Sequence, residues 1–314
     1  MKRAFSTVIP AILAAILGGM LLLFTGNTHE PARYGPSALT WLIRQWRDPG
    51  SNSSHGWLVP AVSLALVWMK HGKLARASKR TDWLALGVIV PALLLFWAGC
   101  RSQQPRLSVM CIIALSWGIP FLLWGRNVAA ILLFPCVYLL FAMPMGFLSA
   151  VTFPLRRLST MLSTAVLNGL GIAVERVGTA ICSAEPGKYA LDVGDACSGL
   201  QSLIAMSALT AAFAYVTQRG LVRKWLLFLS AIPIAMIGNT VRIVTIGIVA
   251  ETIGTAAAMR IYHDFSGYIV FGTAVVLMTF FGAVIGRDYS FSTASSAGIP
   301  GRSGRPVRDG GRQE

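Results

Sequence analysis

The amino-acid sequence predicts an all-α, polytopic membrane protein with about eight transmembrane helices and one further amphipathic helix at the membrane interface. Two observations support this fold class. Hydrophobic residues make up 55% of the 314 residues, whereas charged residues make up only 12%, about half the share of ordinary soluble domains. The apolar residues are also gathered in runs long enough to cross a hydrocarbon core. We therefore assign residues 1–286 to one transmembrane domain.

The formal net charge of +15 does not indicate a nucleic-acid-binding protein. The Lys and Arg residues lie mainly in short loops between apolar runs and in the C-terminal tail, which is the distribution that sets membrane topology. The sequence has no basic stripe interleaved with aromatic residues and no nucleic-acid-binding motif. We therefore expect these basic residues to interact with the lipid bilayer and not with nucleic acid. Residues 287–314 are rich in Ser, Gly and Arg, and are predicted to form a disordered, basic, cytoplasmic tail.

The first apolar run covers residues 4–27 and follows Lys2 and Arg3. A basic start and an apolar core fit either a signal peptide or a retained first helix. We favour a retained helix because the run is long and no clear small-x-small cleavage site follows it. Residues 28–56 then form a polar, proline-bearing loop with a short surface helix around residues 39–46.

The other spans are predicted from apolar runs that end at charged or glycine-bearing turns. Five basic residues between positions 70 and 80 form the densest basic loop, which belongs on the cytoplasmic side. The turn at Arg126 and Asn127 is so short that its two helices must run antiparallel. The seven further transmembrane helices are predicted at residues 57–69, 83–99, 107–125, 128–146, 197–216, 225–249 and 265–286.

Residues 147–196 form the longest stretch before the tail that does not span the membrane. From Pro154 to about Val174, apolar residues recur at helical spacing with charged residues between them, which predicts a helix on the membrane or half inserted in it. A short extended piece at residues 188–193 follows. A second dense basic loop is predicted at residues 218–224. Counting spans from a cytoplasmic N-terminus places both dense basic loops and both termini inside.

Cys197 is the candidate nucleophile. It lies in the polar stretch Gly194-Asp-Ala-Cys-Ser-Gly-Leu-Gln-Ser-Leu203, directly before an apolar helix. With Asp195 as the N-cap, the thiol lies at the positive end of the helix dipole, which favours the reactive thiolate. The alternative is that Cys197 is a small buried hydrophobic residue, the usual role of a free cysteine. The chain has five cysteines and no CxxC pair, so neither a disulfide framework nor a metal knuckle is indicated.

Arg242 is the second candidate because it lies within an otherwise apolar predicted helix. A charge at that depth costs about 2.5–3.5 kcal/mol on insertion scales, so an intramembrane arginine indicates function. The alternative is an arginine that reaches out to lipid headgroups. Asn239 lies three residues earlier on the same helical face. The topology, derived from the basic loops, brings Arg242, Cys197 and His263 to the same outer level of the membrane.

His263 is the candidate general base or ion-pair partner, since an unperturbed imidazole titrates at roughly pH 6.5. The alternative is an ordinary histidine at the membrane interface, where His, Tyr and Asp are common. His55 precedes the helix at residues 57–69 on the same outer side and is expected to line the same cavity. A zinc site made of Cys197, His55 and His263 has no spacing signature. We therefore predict no metal and no other cofactor.

Four short motifs together resemble the exosortase/archaeosortase family, in the family's order. They extend over most of the chain, roughly from residue 35 to residue 286. The motifs are Ser54-His-Gly-Trp-Leu-Val-Pro60, Cys197-Ser-Gly-Leu-Gln-Ser-Leu203, Gly238-Asn-Thr-Val-Arg-Ile243 and His263-Asp-Phe-Ser-Gly267.

The resemblance implies a membrane-embedded cysteine protease or transpeptidase of the bacterial cytoplasmic (inner) membrane, with its active site on the extracytoplasmic face. Such enzymes are believed to cut C-terminal sorting signals of exported proteins, built from a short motif such as Pro-Glu-Pro, a transmembrane helix and a basic cluster. They are linked to exopolysaccharide production. By position, the family's catalytic residues correspond to Cys197, Arg242 and His263. We expect three further residues to bind substrate or support the site: Ser198, Asn239 and His55.

Two other classes of protein compete with the enzyme. In a transporter or flippase of a lipid-linked glycan, Arg242 and Asn239 would line a substrate path and Cys197 would be incidental. The sequence shows no internal repeat and no pair of broken helices in equivalent positions, which such folds often carry. A structural scaffold of an envelope complex would tolerate Ala at all three catalytic positions.

Overall fold

The fold comes from a computed structural model, which describes residues 17–19, 21, 23–24, 35–48, 53–144, 149–185, 188–192 and 199–287. The first predicted helix lies mostly outside these ranges. Residues 288–314 of the predicted tail also lie outside them. The same holds for Cys197 and Ser198, and for the side chain of His263.

The described chain is predominantly helical. Three short 3-10 helices adjoin longer ones: Ser54–Trp57 leads into α2, Trp83–Ala85 leads into α4, and Leu139–Ala142 extends α6. In chain order the α-helices are α1 (Ala38–Arg47), α2 (Leu58–Met69), α3 (His71–Arg76), α4 (Leu86–Arg101), α5 (Pro105–Trp124), α6 (Arg126–Tyr138), α7 (Ser149–Gly169), α8 (Gly199–Thr217), α9 (Leu221–Leu229), α10 (Ala231–Thr252), α11 (Thr255–Asp264) and α12 (Ser266–Arg287).

Four helical segments of the described chain are long and apolar enough to cross a membrane, which makes the protein a multi-pass helical membrane protein. Three more apolar helices are shorter, so the count of about eight spans stays a prediction. The four long segments are Trp83–Arg101, Pro105–Trp124, Leu221–Thr252 and Gly267–Gly286, and the shorter ones are Ser54–Met69, Arg126–Ala142 and Leu203–Thr217.

The tight turn between α5 and α6 is made by Gly125, whose φ of 79° favours glycine. A Cβ at this position would also collide with the carbonyl oxygen of Arg80. The loop before α4 is bound to this turn, because the Arg126 Nε atom donates to Asp82 Oδ2 at 2.6 Å and Asn127 Nδ2 donates to Ser78 Oγ at 2.7 Å. The basic loop that ends at Arg80 therefore lies on the same face of the bundle as Arg126.

The two dense basic loops meet at the ring of Tyr215, near the end of α8. The Nζ atom of Lys70 lies 5.1 Å from the ring centroid, and that of Lys224 lies 4.7 Å from it. The ring itself stacks on Phe134 of α6, with centroids 3.9 Å apart. The loops after α2 and α8 therefore share one face, as the predicted topology requires.

A small antiparallel sheet occupies part of the stretch between α7 and α8, where the sequence predicted a single extended piece at residues 188–193 and no sheet. Its strands β1 (Val174–Val177), β2 (Ala180–Ser183) and β3 (Ala190–Asp192) pair in the order β1-β2-β3. The predicted amphipathic helix was expected to reach Val174, whereas α7 ends at Gly169. Gly171, with a φ of 84°, follows that end and turns the chain into the sheet.

The sheet packs on the C-terminal half of α10. Ile181 of β2 is fully buried in one cluster with Leu167 of α7 and Ile246 of α10. Beside this apolar contact, Lys188 Nζ donates to Glu251 Oε1 at 2.5 Å. The pKa of Lys188 is raised, mainly by this hydrogen bond to Glu251. The sheet and the end of α10 therefore form one packed unit.

The predicted span at residues 225–249 is interrupted and longer than expected. The chain turns at Ser230, which separates α9 from α10, and Pro233 explains the break because it lacks the N–H that would continue the helical bonding. Beyond α10, residues 255–264 form α11 and not the expected loop. Its buried residue Ala258 joins the cluster that includes Ile246, so α11 packs against α10.

Candidate functional site

Arg242 is buried in the bundle, with only 6% of its surface exposed. Its Nη2 atom donates to Oδ1 of Asn239 at 2.8 Å, and Asn239 is itself buried. The two residues lie three positions apart on α10, the spacing at which helical side chains meet. Within the described ranges, the Nε atom of Arg242 has no hydrogen-bond partner. In the structure, Arg242 is therefore a buried arginine held by Asn239, and its functional role stays a prediction.

The start of α12 lies at the level of Arg242. A Cβ built on Gly238 of α10 would be 3.5 Å from Val270 of α12, so the two helices are in close contact at this point. Further along α12, Met278 lies in one buried cluster with Ile234 of α10, so α12 runs antiparallel to α10. Arg242 lies four residues after Gly238, about 6 Å along the axis, and Ser266 lies four residues before Val270. The α11–α12 junction, which carries His263, is therefore close to the level of Arg242.

The start of α8 reaches the same level. Leu203, one turn into α8, lines a small cavity together with Asn239. Further along α8, Met206 packs with Ile234 in one cluster, so residue numbers rise on α8 as they fall on α10. Gly199, the first residue of α8, therefore lies about one turn beyond Asn239 toward Arg242. Cys197 precedes Gly199 by two residues.

Three segments that are distant in sequence thus converge at one level of the bundle: α10 at Arg242, the start of α8 and the start of α12. The structure brings Arg242 and Asn239 into contact. The roles of Cys197, Ser198 and His263 stay predictions, because Cys197, Ser198 and the side chain of His263 lie outside the described part of the chain.

The α7 helix forms another wall of the cavity and adds an arginine that the sequence analysis did not single out. Arg156 lines the cavity with Asn239 and Leu203. The helix approaches α10 closely because small, buried residues lie between them. Ser163, for example, is fully buried, and its hydroxyl donates to Ser159 O at 2.8 Å and to Thr240 O at 3.5 Å.

His55 lies in a different cluster. Its Nε2 atom lies 3.1 Å from the carbonyl oxygen of Phe141, and since a carbonyl only accepts, Nε2 carries the proton. Next to it, Trp46 Nε1 donates to Ala142 O at 2.8 Å. Among the described residues, the hydrogen bond of His55 thus goes to the end of α6 and not to Arg242. We assign it a local contact that joins α2 to α6, and its role in substrate binding stays a prediction.

The described part of the chain contains no disulfide and no candidate metal site. Cys182 lies on β2 and is partly exposed. Among the described cysteines, none forms a disulfide. In the ranges that the structure describes, no three His, Cys, Asp or Glu residues are grouped so that they could hold a metal ion.

Together, the fold and the site define a multi-pass helical membrane protein with a buried arginine where three helical segments meet. Residues 46–280 match the family model of the transmembrane exosortases (Exosortase_EpsH), and the chain belongs to this family. The matched range contains all four motifs from which the sequence resemblance was drawn. No curated protein and no solved structure matches the chain.

Proposed function

We propose that the protein is a membrane-embedded cysteine transpeptidase or protease that cleaves C-terminal sorting signals of exported proteins. The exported proteins are its substrates, and the reaction serves envelope or exopolysaccharide biogenesis. Membership of the exosortase family supports this proposal. The observation that carries it is the buried Arg242, with Asn239 as its hydrogen-bond partner, at the level where α8 and α12 begin.

The charge of Arg242 needs a counter-charge. A buried guanidinium is costly unless it is paired, and no carboxylate among the described residues pairs with it. Its Nε–H is left to bind a further acceptor. In our proposal, a Cys197 thiolate and then the oxyanion of the reacting peptide supply this charge. The same arginine would therefore lower the pKa of the nucleophile and stabilise the transition state.

The reaction then runs in two steps. The Cys197 sulfur attacks the scissile carbonyl carbon, a C–S bond forms, and Arg242 holds the negative oxygen of the tetrahedral intermediate. The C–N bond breaks as the His263 imidazolium gives its proton to the leaving amine. The resulting thioester is resolved by water in a protease, or by an acceptor nucleophile in a transpeptidase. Ser198 and Asn239 support the site by hydrogen bonding, and the mechanism uses no cofactor.

We propose that this site faces the extracytoplasmic side of the bacterial inner membrane. The loops with Lys70 and Lys224 share one face of the bundle through Tyr215, and clustered basic loops belong in the cytoplasm. Since α8 runs from Gly199 to Thr217, its start is at the end of the helix away from Tyr215. The proposed nucleophile therefore belongs on the opposite side from the basic loops.

Cysteine replacement tests the function directly. A secreted reporter that carries a Pro-Glu-Pro motif, one apolar helix and a basic cluster is co-expressed with the chain, and loss of its tail is followed by mass. We expect Cys197→Ala to abolish cleavage and Cys182→Ala, a matched control on β2, to retain it. Cleavage by Cys197→Ala at the rate of the unchanged protein would remove Cys197 as the nucleophile.

A further inference from the structure

We infer that the substrate binds as an added β-strand along the free edge of β3, next to the catalytic segment. This inference rests on the proposed function and names the binding mode of its substrate: an extended peptide segment on the N-terminal side of the scissile bond. Peptides commonly add a strand to an open sheet edge, where backbone hydrogen bonds provide affinity. The β1-β2-β3 sheet offers such an edge.

The register shows which groups of β3 face outward. The N–H of Ser183 donates to Tyr189 O at 3.0 Å, so these two residues form a hydrogen-bonded pair of the antiparallel ladder. Such pairs alternate with non-hydrogen-bonded ones. Ala190 pairs with Cys182 one position further on, so the N–H and C=O groups of Ala190 point away from β2. By the same alternation, those of Asp192 also point to the free edge.

The opposite edge of the sheet is already covered. At the start of β1, the N–H and C=O groups of Val174 point away from β2. One side chain binds both of these groups. Asn168 Oδ1 accepts from Val174 N at 2.9 Å, and Asn168 Nδ2 donates to Val174 O at 3.1 Å. An amide side chain thus occupies the place of a neighbouring strand at β1. Among the described residues, β3 has no such cover.

The free edge is also the one that leads to the proposed nucleophile. Cys197 follows Asp192, the last residue of β3, by five positions. The sheet is held against α10 by the buried Ile181 and by the ion pair between Lys188 and Glu251. Because α10 carries Arg242, the β3 edge and the arginine belong to one packed unit. A peptide aligned on β3 would pass from the sheet toward the level of Arg242.

Proline replacement at the free edge tests the inference. Ala190→Pro removes an outward N–H without removing a ladder hydrogen bond, and its ring blocks an added strand. We expect it to lower the rate of reporter cleavage by about ten-fold. Ala190→Val keeps the N–H, and Arg176→Pro removes the outward N–H of the opposite edge. Both controls should cleave within about two-fold of the unchanged protein.

Cleavage that depends on Cys197 but is equally fast in Ala190→Pro and Ala190→Val would overturn the inference and leave the proposed function standing. Unchanged cleavage in Cys197→Ala would instead contradict the proposed function.

A second measurement needs neither catalysis nor proline. In the Cys197→Ala background, a benzoylphenylalanine photocrosslinker replaces Ala190 or, as the control, Arg176. Illumination in membranes with the reporter should produce an adduct at position 190 and little at position 176. The adduct should map to reporter residues before the scissile bond. No adduct at position 190, or equal adducts at both positions, would refute strand addition at β3 even where Ala190→Pro fails to accumulate.

Discussion

Asn239 Oδ1 accepts a hydrogen bond from Arg242 Nη2 at 2.8 Å, and both side chains are buried. The amide holds the guanidinium in place without neutralising it, so the positive charge stays available to a reacting group. A carboxylate at position 239 would satisfy the charge permanently. An amide at position 239, in place of a carboxylate, therefore fits a role in which Arg242 binds a negatively charged reacting group.

Replacing Asn239 by Asp should separate stability from activity. We expect Asn239→Asp to keep or raise the melting temperature of the detergent-purified protein, because a buried ion pair forms. Reporter cleavage should fall by at least about ten-fold, since the arginine is no longer available. Asn239→Ala should lower both quantities, as it leaves Arg242 without its partner. Unchanged cleavage in Asn239→Asp would contradict the proposed role of Arg242.

Arg242→Lys keeps the charge but loses the planar fork of donors. We expect reporter cleavage to fall by about 100-fold, the scale of losing one oxyanion donor. The protein should still accumulate in membranes, which an immunoblot checks. Thr245→Ala on the same helix is the control, because Thr245 is partly exposed and its hydroxyl donates to Val241 O within α10. A lysine variant as active as this control would show that charge alone suffices.

The packing of α7 on α10 depends on Gly247. A Cβ there would lie 2.8 Å from Leu167 Cδ1, which is closer than real contacts allow. We expect Gly247→Ala to destabilise the protein by about 1–3 kcal/mol through overpacking, seen as a lower melting temperature. Gly272→Ala on α12 has open space around it and should be neutral or stabilising. Combining Gly247→Ala with Leu167→Ala should cost less than the sum of the two single losses, because the two side chains compete for the same space.

The ion pair of Asp82 and Arg126 predicts a pH dependence of stability. The pKa of Asp82 is lowered, mainly by the side-chain hydrogen bond from Arg126. The ion pair therefore contributes fully to the free energy of unfolding above the unfolded carboxyl pKa of about 3.9. This contribution is lost as pH falls through the lower pKa of the folded state. Asp82→Asn keeps a capping oxygen for Leu84. The melting-temperature difference between the two proteins should shrink between pH 5 and pH 3, and a constant difference would contradict the assignment.

Thiol labelling tests the sidedness of the fold. In a chain whose native cysteines are replaced, Lys73→Cys places a thiol in the exposed basic loop, and Thr252→Cys places one at the exposed end of α10. An impermeant maleimide added to intact cells stripped of their outer membrane should label Thr252→Cys only. Labelling of Lys73→Cys should require lysis. The reverse pattern would invert the proposed topology.

Helix positions were predictable because apolar runs end sharply at charged residues and glycine. The predicted spans at residues 107–125 and 265–286 agree closely with α5 and α12. The extended piece predicted at residues 188–193 overlaps β3, but β1, β2 and their pairing were not predictable, because each strand has only three or four residues. In β1, two charged residues separate two valines, a pattern that the polar side of a helix also produces. The helix α11 was missed because it is only ten residues long, too short to be read as a membrane span.

Sequence motifs pointed to residues of the candidate site but not to the cavity between the helices. An arginine within an apolar run is conspicuous in the sequence, and in the structure Arg242 is buried beside Asn239. Arg156 could not be singled out in this way, since it is one of two adjacent arginines on an amphipathic helix. Its place in the cavity follows from the contact of Leu167 with Gly247, which joins two helices that are remote in sequence. Local patterns do not encode contacts of this kind.

The aromatic contact at the other end of α8 has a consequence for lipid preference. Two ammonium groups, from Lys70 and Lys224, lie within about 5 Å of one Tyr215 ring, where they repel each other. Acidic phospholipid headgroups relieve that repulsion, each basic residue contributing about 1 kcal/mol near an anionic leaflet. We therefore expect the protein to be more heat-stable in phosphatidylglycerol-rich vesicles than in purely zwitterionic ones.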